Sequence, residues 1–211
     1  MIKGQERYEN LHITPIWDVS GEYGIPIIKP HIITDNLEFI GFNYAKSEKN
    51  PQDKGIHFFI DDYQFTRLWN EPERYIGMLG RFKCVLTPDF SLYADYPRAL
   101  QIFNHYRKHV LGAYWQREGL TVIPTISWSN EESFEFCFDG EPKGGTVAVS
   151  SVGTQRNSYT KELFLNGYRE MMKILYPETV IFCGNVPEEC EGNIIRIGAF
   201  QDKFKKIREN R

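Results

Sequence analysis

The stretch GTVAVSSVGTQRNSYTKELFLNGYREMMKILYPETVIFC, residues 145–183, decides the fold class. Its apolar runs over 145–150 and 179–183 predict two buried strands. The segment between them predicts a helix over 161–176 that stops at Pro177. One face of this helix is formed by Phe164, Tyr168, Met171, Met172 and Leu175. A strand, a helix and a strand in this order form a βαβ unit, whose two strands lie parallel.

The same alternation continues through most of the chain. Further apolar runs predict strands over 56–60, 83–87, 120–127 and 193–197. A long amphipathic segment predicts a helix over 97–118. The predicted buried face of that helix is formed by Ala99, Phe103, Tyr106, Val110 and Ala113. We therefore expect an α/β protein with mainly parallel strands, either a compact or incomplete (β/α) barrel or an open doubly wound sheet.

The first 55 residues have a different pattern. GIPIIKP (24–30) and LEFIGFNYA (37–45) are short, extended and rich in proline and strand-forming residues, and a polar loop follows them. We expect residues 1–55 to form an N-terminal extension that covers one end or edge of the sheet. Residues 56–211 would then form the βα-repeat domain, and the two parts would make one globular unit.

Composition limits the classes of function. The 211 residues are 41% hydrophobic and 25% charged, which is typical of a globular domain. A formal net charge of −3 makes non-specific nucleic-acid binding an unfavourable interpretation, because phosphate binding needs an excess of Lys and Arg. The four cysteines form no CxxC pair, which favours a reducing compartment without structural zinc. The N-terminus has no apolar signal core and no run is long enough to span a membrane, so we expect a cytoplasmic protein.

Acidic side chains follow two of the predicted strands. In βα folds the ligand site lies at the carboxyl ends of the strands, so these positions are candidates for catalysis. Asp61 and Asp62 follow the first strand of the repeat domain, and Asp89 follows the next. Neighbouring carboxylates can share a proton or hold a divalent metal ion. The alternative is that these aspartates cap the helices that follow them.

The turn AVSSVGTQRN (148–157) is the best candidate for an anion site. Ser150 and Ser151 end a predicted strand, and Thr154 and Arg156 add hydrogen-bond donors before the next helix. The turn lacks the lysine of a P-loop. Asn185 follows the next strand and joins this predicted binding set. Tyr93 and Trp128 are the rings predicted to stack on a cyclic substrate.

Two further motifs favour structural interpretations. The tetrapeptide Trp69-Asn70-Glu71-Pro72 occurs around the acid/base glutamate of many barrel-fold glycosidases, but helical spacing follows it here. Asn70 is therefore interpreted as a helix N-cap.

His105 and His109, four residues apart on the long helix, could chelate a metal. Arg107 and Lys108 lie between them and favour a solvated basic face.

An ordered series of motifs carries a family resemblance. The motifs are PDFS (88–91), VIPxxxW (122–128), FDGxP (138–142), VAVSxxG (147–153) and LxPxxxxxxG (175–184). From about residue 20 onward the chain resembles the domain-of-unknown-function family 4417 of bacteria, their phages and mobile elements. The resemblance implies a bacterial or phage setting. It also implies that PDFS, Trp128, FDG and SSVGTQR are hallmark positions of the family.

Two classes of function follow. The first is a hydrolase or glycosyl transferase that acts on a phosphorylated or nucleotide-like substrate, with a divalent metal ion as a possible cofactor. The second is a non-catalytic phage or mobile-element protein that binds a host protein or sequesters a nucleotide. The predicted partner is a small anionic or nucleotide-like ligand, or a host protein in the second class.

Overall fold

The structure is a computed structural model that describes residues 3–14, 18–33 and 37–198. Its α-helices are α1 (Lys3–Tyr8), α2 (Arg67–Asn70), α3 (Ile76–Leu79), α4 (Arg98–Arg117) and α5 (Ser158–Leu175). The first strands are β1 (Val19–Ser20), β2 (Ile25–Pro26), β3 (Glu38–Gly41), β4 (Lys54–His57) and β5 (Cys84–Leu86). They are followed by β6 (Val122–Ile123), β7 (Thr146–Ser150), β8 (Thr179–Cys183) and β9 (Ile194–Ile197). Short 3-10 turns fill several of the connections.

The parallel strands lie side by side in chain order. One sheet has the order β3-β4-β5-β6 and another has the order β7-β8-β9, with every neighbouring pair parallel. A parallel bridge between Thr125 and Ala148 connects the segment after β6 to β7. The pairing register aligns Gly41 with His57 and Ser150 with Cys183, so the carboxyl ends of neighbouring strands meet at one edge. The prediction of an α/β protein with parallel strands is confirmed.

The parallel set begins earlier in the chain than the sequence pattern indicated. All six predicted strands are present, but β3 lies within residues 37–45, which were expected to cover the sheet. The expected domain boundary between residues 55 and 56 falls inside β4. Residues 1–2, 15–17, 34–36 and 199–211 of the two predicted domains lie outside the described residues.

Residues 18–33 run along α4 and reach the amino end of β7. The antiparallel hairpin β1–β2 leads into an extended segment, in which the Ile28 amide donates to the Gly140 carbonyl at 2.9 Å. Farther along, the Thr146 amide donates to the His31 carbonyl at 2.7 Å, at the start of β7. The part of the segment around His31 therefore lies at the end of β7 opposite to the predicted ligand site.

Helix α5 begins and ends for local reasons. Its N-cap is Asn157, whose side chain accepts a hydrogen bond from the Thr160 amide at 2.9 Å. The helix consequently begins at Ser158, three residues before the predicted start at 161. It ends at Leu175, because Tyr176 adopts a left-handed conformation (φ 37°) before Pro177. Capping chemistry thus determines a boundary that the apolar stripe alone did not show.

Alternate residues of β7 and β8 pack against different parts of the core. Val147, Val149, Val180 and Phe182 belong to a cluster with the apolar face of α5. Ala148, Ile181, Cys183 and Ile197 belong instead to the larger cluster that contains the side chains of β3–β6. The inner face of the second sheet therefore shares one hydrophobic core with the first sheet.

The buried face of α4 differs from the predicted one. Phe103 is 40% exposed and Ala99 is exposed, so the first two turns of the predicted apolar stripe do not face the core. The side chains buried in that half of the helix are polar, namely Gln101, Asn104, His105 and Lys108. Val110 and Ala113 are buried as expected. The prediction for Phe103 was wrong because polar partners from distant segments bury the polar face instead.

None of the helices in the described ranges is both long enough and apolar enough to cross a lipid bilayer.

Candidate functional site

A pocket of about 660 Å³ lies at the carboxyl ends of β4, β5, β7 and β8. The predicted site residues that line it are Asp61, Asp62, Asp89, Tyr93 and Ser150. They come from three separate segments of the chain. Parallel strands with aligned carboxyl ends bring these segments to one edge of the sheet.

The Asp62 carboxylate is held across the gap between two strand ends. Its oxygens accept hydrogen bonds from the Ser91 amide at 3.1 Å and from the Ser91 hydroxyl at 2.9 Å. The Asp62 side chain therefore points across the pocket. Asp61 precedes a 3-10 turn but makes no side-chain capping bond, and it accepts a longer contact from Gln64 at 3.4 Å. The helix-capping role weighed for the pair is thus absent from these two side chains.

Asp89 has an unusual protonation equilibrium. Burial raises the pKa of its carboxyl group to about 7, the Lys108 ammonium lowers it, and the nearby Asp62 carboxylate raises it. A carboxyl group with this pKa is partly protonated near neutral pH, so it can both donate and accept a proton. Asp62 and Asp89 therefore form a pair of acids that differ in environment.

Aromatic rings form the walls and the rim of the pocket. Phe59, Tyr63, Tyr93 and Tyr96 all line it. Tyr63 and Tyr93 are 78% and 57% exposed, and the Tyr93 and Tyr96 rings meet edge to face with centroids 5.1 Å apart. Exposed rings at the mouth of a pocket offer stacking surfaces for a planar ligand.

The lining is acidic. Its charged side chains are Asp61, Asp62 and Asp89, and no Lys, Arg or His lines the pocket among the described residues. Such a lining disfavours a bare anion inside the pocket. It favours a neutral or cationic ring, or an anion bound through a divalent cation.

The predicted anion turn is only partly connected to the pocket. Ser150 lines it, whereas the Ser151 hydroxyl donates to the Asn185 carbonyl at 2.6 Å and is buried. The Thr154 hydroxyl donates to the Ser151 carbonyl at 2.8 Å, which stabilises the turn itself. The Asn185 side chain accepts a hydrogen bond from Arg196 at 2.9 Å. Arg156 is exposed on the same turn and is not among the lining residues.

Trp128 lies away from the pocket. Its indole N–H donates to the Leu163 carbonyl at 3.2 Å, and its ring packs on Phe164 with centroids 5.4 Å apart. Gly167 provides the room for this ring, because a Cβ at Gly167 would collide with the indole. Trp128 therefore fixes the segment after β6 against α5.

The glycosidase-like tetrapeptide is also remote from the pocket lining. Asn70 ends α2 instead of starting a helix, so its interpretation as an N-cap was wrong. Glu71 pairs with Arg74 at 2.6 Å on the surface. Trp69 packs edge to face against Phe103.

A buried polar cluster lies behind the pocket. Lys108 donates to the Thr125 carbonyl at 2.9 Å and to the Glu141 carboxylate at 2.6 Å. His109 and His105 are also buried, so the interpretation of this helix face as solvated and basic was wrong. Burial, together with Lys108 and His109, keeps the pKa of His105 well below its ordinary value. The pKa of Glu141 is lowered because Lys108 and His109 together outweigh the effect of its burial.

The cluster is connected to the pocket through α4. The Asn104 side chain donates to the Ser91 carbonyl at 2.7 Å, and Ser91 holds Asp62. Asn104 and Lys108 lie in none of the sequence motifs, whereas Ser91 is the last residue of PDFS (88–91). Glu141 lies in the FDGxP motif (138–142), five residues before β7 begins, and this motif was the sequence signal that could have identified it.

Comparison with known proteins identifies the family. The Gene 1 protein of Mycobacterium phage L5 is 37% identical over 184 residues, covering 85% of this chain and 79% of the phage protein. The Gene 1 protein of Mycobacterium phage D29 is 35% identical over 181 residues, covering 85% of this chain and 67% of the phage protein. No solved structure matches the chain. The family model described as Domain of unknown function (DUF4417) matches residues 17–201, so the chain belongs to this family, as the ordered motifs indicated.

Proposed function

We propose that the chain is an enzyme of the hydrolase or glycosyl-transferase class, with its active site in the pocket at the strand ends. The observation that carries this proposal is the pair formed by Asp89, whose pKa is raised to about 7, and Asp62, which Ser91 holds in place. Two carboxyl groups in different environments can divide acid and base roles within one site.

In this proposal Asp89 moves the proton. Its protonated carboxyl group donates to the leaving group, and the resulting carboxylate then accepts a proton from the attacking water or acceptor hydroxyl. Asp62 keeps a fixed orientation through Ser91, so its negative charge can stabilise the positive charge that develops on a sugar ring during cleavage of a glycosidic bond. The acidic lining suits a cationic transition state better than an anionic one.

The proposed substrate is nucleotide-like, with a planar ring and an anionic group in different places. The ring would stack on Tyr93 and Tyr96 at the rim. The anionic group would lie outside the acidic pocket, near the 151–157 turn where Arg156 is exposed. Mg²⁺ gives an alternative arrangement, in which the carboxylates of Asp61, Asp62 and Asp89 would be its ligands and it would connect a phosphate to them. Asp89 would then be a metal ligand and not the proton donor.

A barrel-like curvature would bring these strand ends together. The seven parallel strands follow chain order, and the inner faces of β7–β9 share a hydrophobic core with β3–β6. Within the described residues no backbone pairing connects β3 to β9. These observations support an incomplete (β/α) barrel over an open doubly wound sheet, in which helices cover both faces.

A panel of nucleosides and nucleoside monophosphates tests the proposed activity, with release of the free base followed by chromatography. Each reaction is run with and without Mg²⁺. Asp89→Asn should reduce turnover by about a hundredfold or more, because it removes the group that moves the proton. The matched control is Glu71→Gln, an acid-to-amide change at an exposed ion pair, which should leave turnover within about twofold. Equal turnover by the natural chain and Asp89→Asn would contradict the proposal.

The exposed rim favours one alternative. Tyr63 and Tyr93 expose large ring surfaces beyond the pocket, as expected for a phage protein that sequesters a nucleotide or contacts a host protein. Tight binding of a nucleotide with no product from the natural chain, and unchanged affinity in Asp89→Asn, would favour this alternative.

A further inference from the structure

Three buried side chains behind the pocket form a compact set of possible metal ligands. His105 and His109 are one turn apart on α4, and Glu141 comes from the loop before β7. One ring nitrogen of each histidine and one carboxylate oxygen all lie within 4.8 Å of one another. None of the three belongs to the lining of the strand-end pocket.

Backbone carbonyls indicate which nitrogen of each histidine carries a hydrogen. The Asp139 carbonyl lies 2.9 Å from His105 Nε2, which must donate to it, so a neutral His105 has its lone pair on Nδ1. The Pro26 carbonyl lies 2.8 Å from His109 Nδ1, so a neutral His109 has its lone pair on Nε2. Histidines that bind metals commonly donate their other N–H to a carbonyl in this way.

Two of the inward-facing atoms lack a hydrogen-bond partner within the described part of the chain. They are His105 Nδ1 and Glu141 Oε2, and both are buried. The other Glu141 oxygen, Oε1, accepts from Lys108 at 2.6 Å and lies 3.0 Å from His109 Nε2. This second contact is a hydrogen bond only when Nε2 carries a hydrogen, and an ion bound at Nε2 would take the place of that hydrogen. A buried polar atom without a partner is unfavourable, so the Lys108–Glu141 ion pair alone leaves the cluster unsatisfied.

The surrounding backbone is built to bring this loop against α4. Gly140 has a φ of +71°, and a Cβ at this position would approach the Pro26 carbonyl and the His109 ring. Glycine is therefore required where the Glu141 loop meets the helix and the β2 segment. The same contact places Glu141 beside both histidines.

We propose that His105 Nδ1, His109 Nε2 and Glu141 Oε2 bind one divalent transition-metal ion. Two imidazoles and one carboxylate form a ligand set that suits Zn²⁺ and also Fe²⁺. Lys108 is the positive group that faces the cluster, and it contacts Oε1, the oxygen that the ion does not use. The ion would join α4 to the FDGxP loop, and the hydrogen bond between His109 and the Pro26 carbonyl would connect it to the β2 segment. This site is independent of the catalytic role proposed for Asp89.

Metal content of the full chain tests the site directly. The protein is treated with a chelator, titrated with zinc chloride and passed through gel filtration before elemental analysis. We expect one zinc ion per chain and a rise in Tm of about 5–10 °C at a hundredfold excess over Kd. The Co²⁺ form should lack the intense near-ultraviolet absorption of thiolate ligation, which excludes the buried cysteines as ligands. Substoichiometric zinc in the natural chain would overturn the proposal, whatever the variants do.

Matched variants assign the ligands. His105→Gln and Glu141→Gln should each weaken zinc binding by about a hundredfold or more. His12→Gln removes a histidine that pairs with Glu73 on the surface, and it should bind zinc as the natural chain does. Stoichiometric zinc with unchanged affinity in a folded His105→Gln would contradict the assignment. Circular dichroism establishes whether each variant is folded.

Discussion

Ser91 donates two hydrogen bonds to the carboxylate of Asp62, one from its amide at 3.1 Å and one from its hydroxyl at 2.9 Å. The two residues follow different strands, β4 and β5, and are 29 positions apart. The contact therefore connects two strand ends and also orients a candidate catalytic acid. Asn104 of α4 supports it by donating to the Ser91 carbonyl at 2.7 Å.

Ser91→Ala should lower turnover by about tenfold, because one of the two bonds that orient Asp62 is lost. The free energy of unfolding should fall by about 1–2 kcal/mol, since a hydrogen bond to a charged group is removed while the amide bond remains. Ser47→Ala is the control, because its hydroxyl donates to the Tyr44 carbonyl in an exposed turn. Equal effects of the two substitutions on turnover and urea unfolding would show that the Ser91 hydroxyl does not orient Asp62.

Asp89 should make stability depend on pH. Burial raises its pKa in the folded protein to about 7, whereas an unfolded aspartate has a pKa of about 3.9. Between these values the folded state binds more protons than the unfolded state, so stability is lost as the pH rises through this window. Asp89→Asn removes the penalty, so the variant should match the natural chain near pH 4 and exceed it by about 2–4 kcal/mol near pH 8. Urea unfolding across this range measures the difference, and parallel pH profiles for the two proteins would contradict the shifted pKa.

Tyr168 of α5 and Phe103 of α4 were both predicted to lie on the buried face of a helix, but they should differ in their contribution to stability. Tyr168 is 2% exposed and its hydroxyl donates to the Glu191 carbonyl at 2.8 Å, so Tyr168→Ala should cost about 3–5 kcal/mol. Phe103 is 40% exposed, so Phe103→Ala should cost about 1 kcal/mol. Thermal and chemical unfolding of both variants measures the contrast. Similar losses in the two would mean that the exposed face of α4 is covered by something else in solution.

Gly167 should resist substitution because of Trp128. A Cβ at Gly167 would collide with the indole ring, so Gly167→Ala should destabilise the protein by about 1–3 kcal/mol and shift the tryptophan fluorescence. Gly77→Ala is the matched control in another helix, since no atom lies within 4 Å of the added Cβ. That change should be neutral or stabilising by about 0.5–1 kcal/mol. A neutral Gly167→Ala would show that the Trp128 ring can move aside.

The strands, and the position of the acidic side chains at one edge of the sheet, were predictable from local sequence. Short apolar runs identified β4–β9, and the rule that ligands bind at strand ends selected Asp62 and Asp89. β3 was harder to recognise because it is a four-residue strand in a segment with no helix before it. Arg156 and Trp128 were placed by proximity in sequence to strand ends, but turn geometry and packing on α5 determine their actual positions.

The buried half of α4 could not be predicted from its own sequence. Amphipathic patterns assign polar residues to solvent, and His105, Lys108 and His109 fit that expectation. Their partners come from elsewhere, since Glu141 and Thr125 bind Lys108 and the Pro26 carbonyl accepts from His109. A polar group is buried when its partners are in place, and these partners are up to 83 residues away in sequence.

The chain order of the parallel strands has a consequence for biosynthesis. Each strand from β4 to β6, and each from β8 to β9, pairs with the strand made just before it. During translation every new strand therefore emerges from the ribosome beside a partner that is already available, and it needs none from later in the chain. The amide of Thr146, which donates to the His31 carbonyl, follows the same rule because its acceptor was synthesised earlier. Assembly can thus proceed from the N-terminus onward, and the strand-end pocket is completed late, when β7 and β8 arrive.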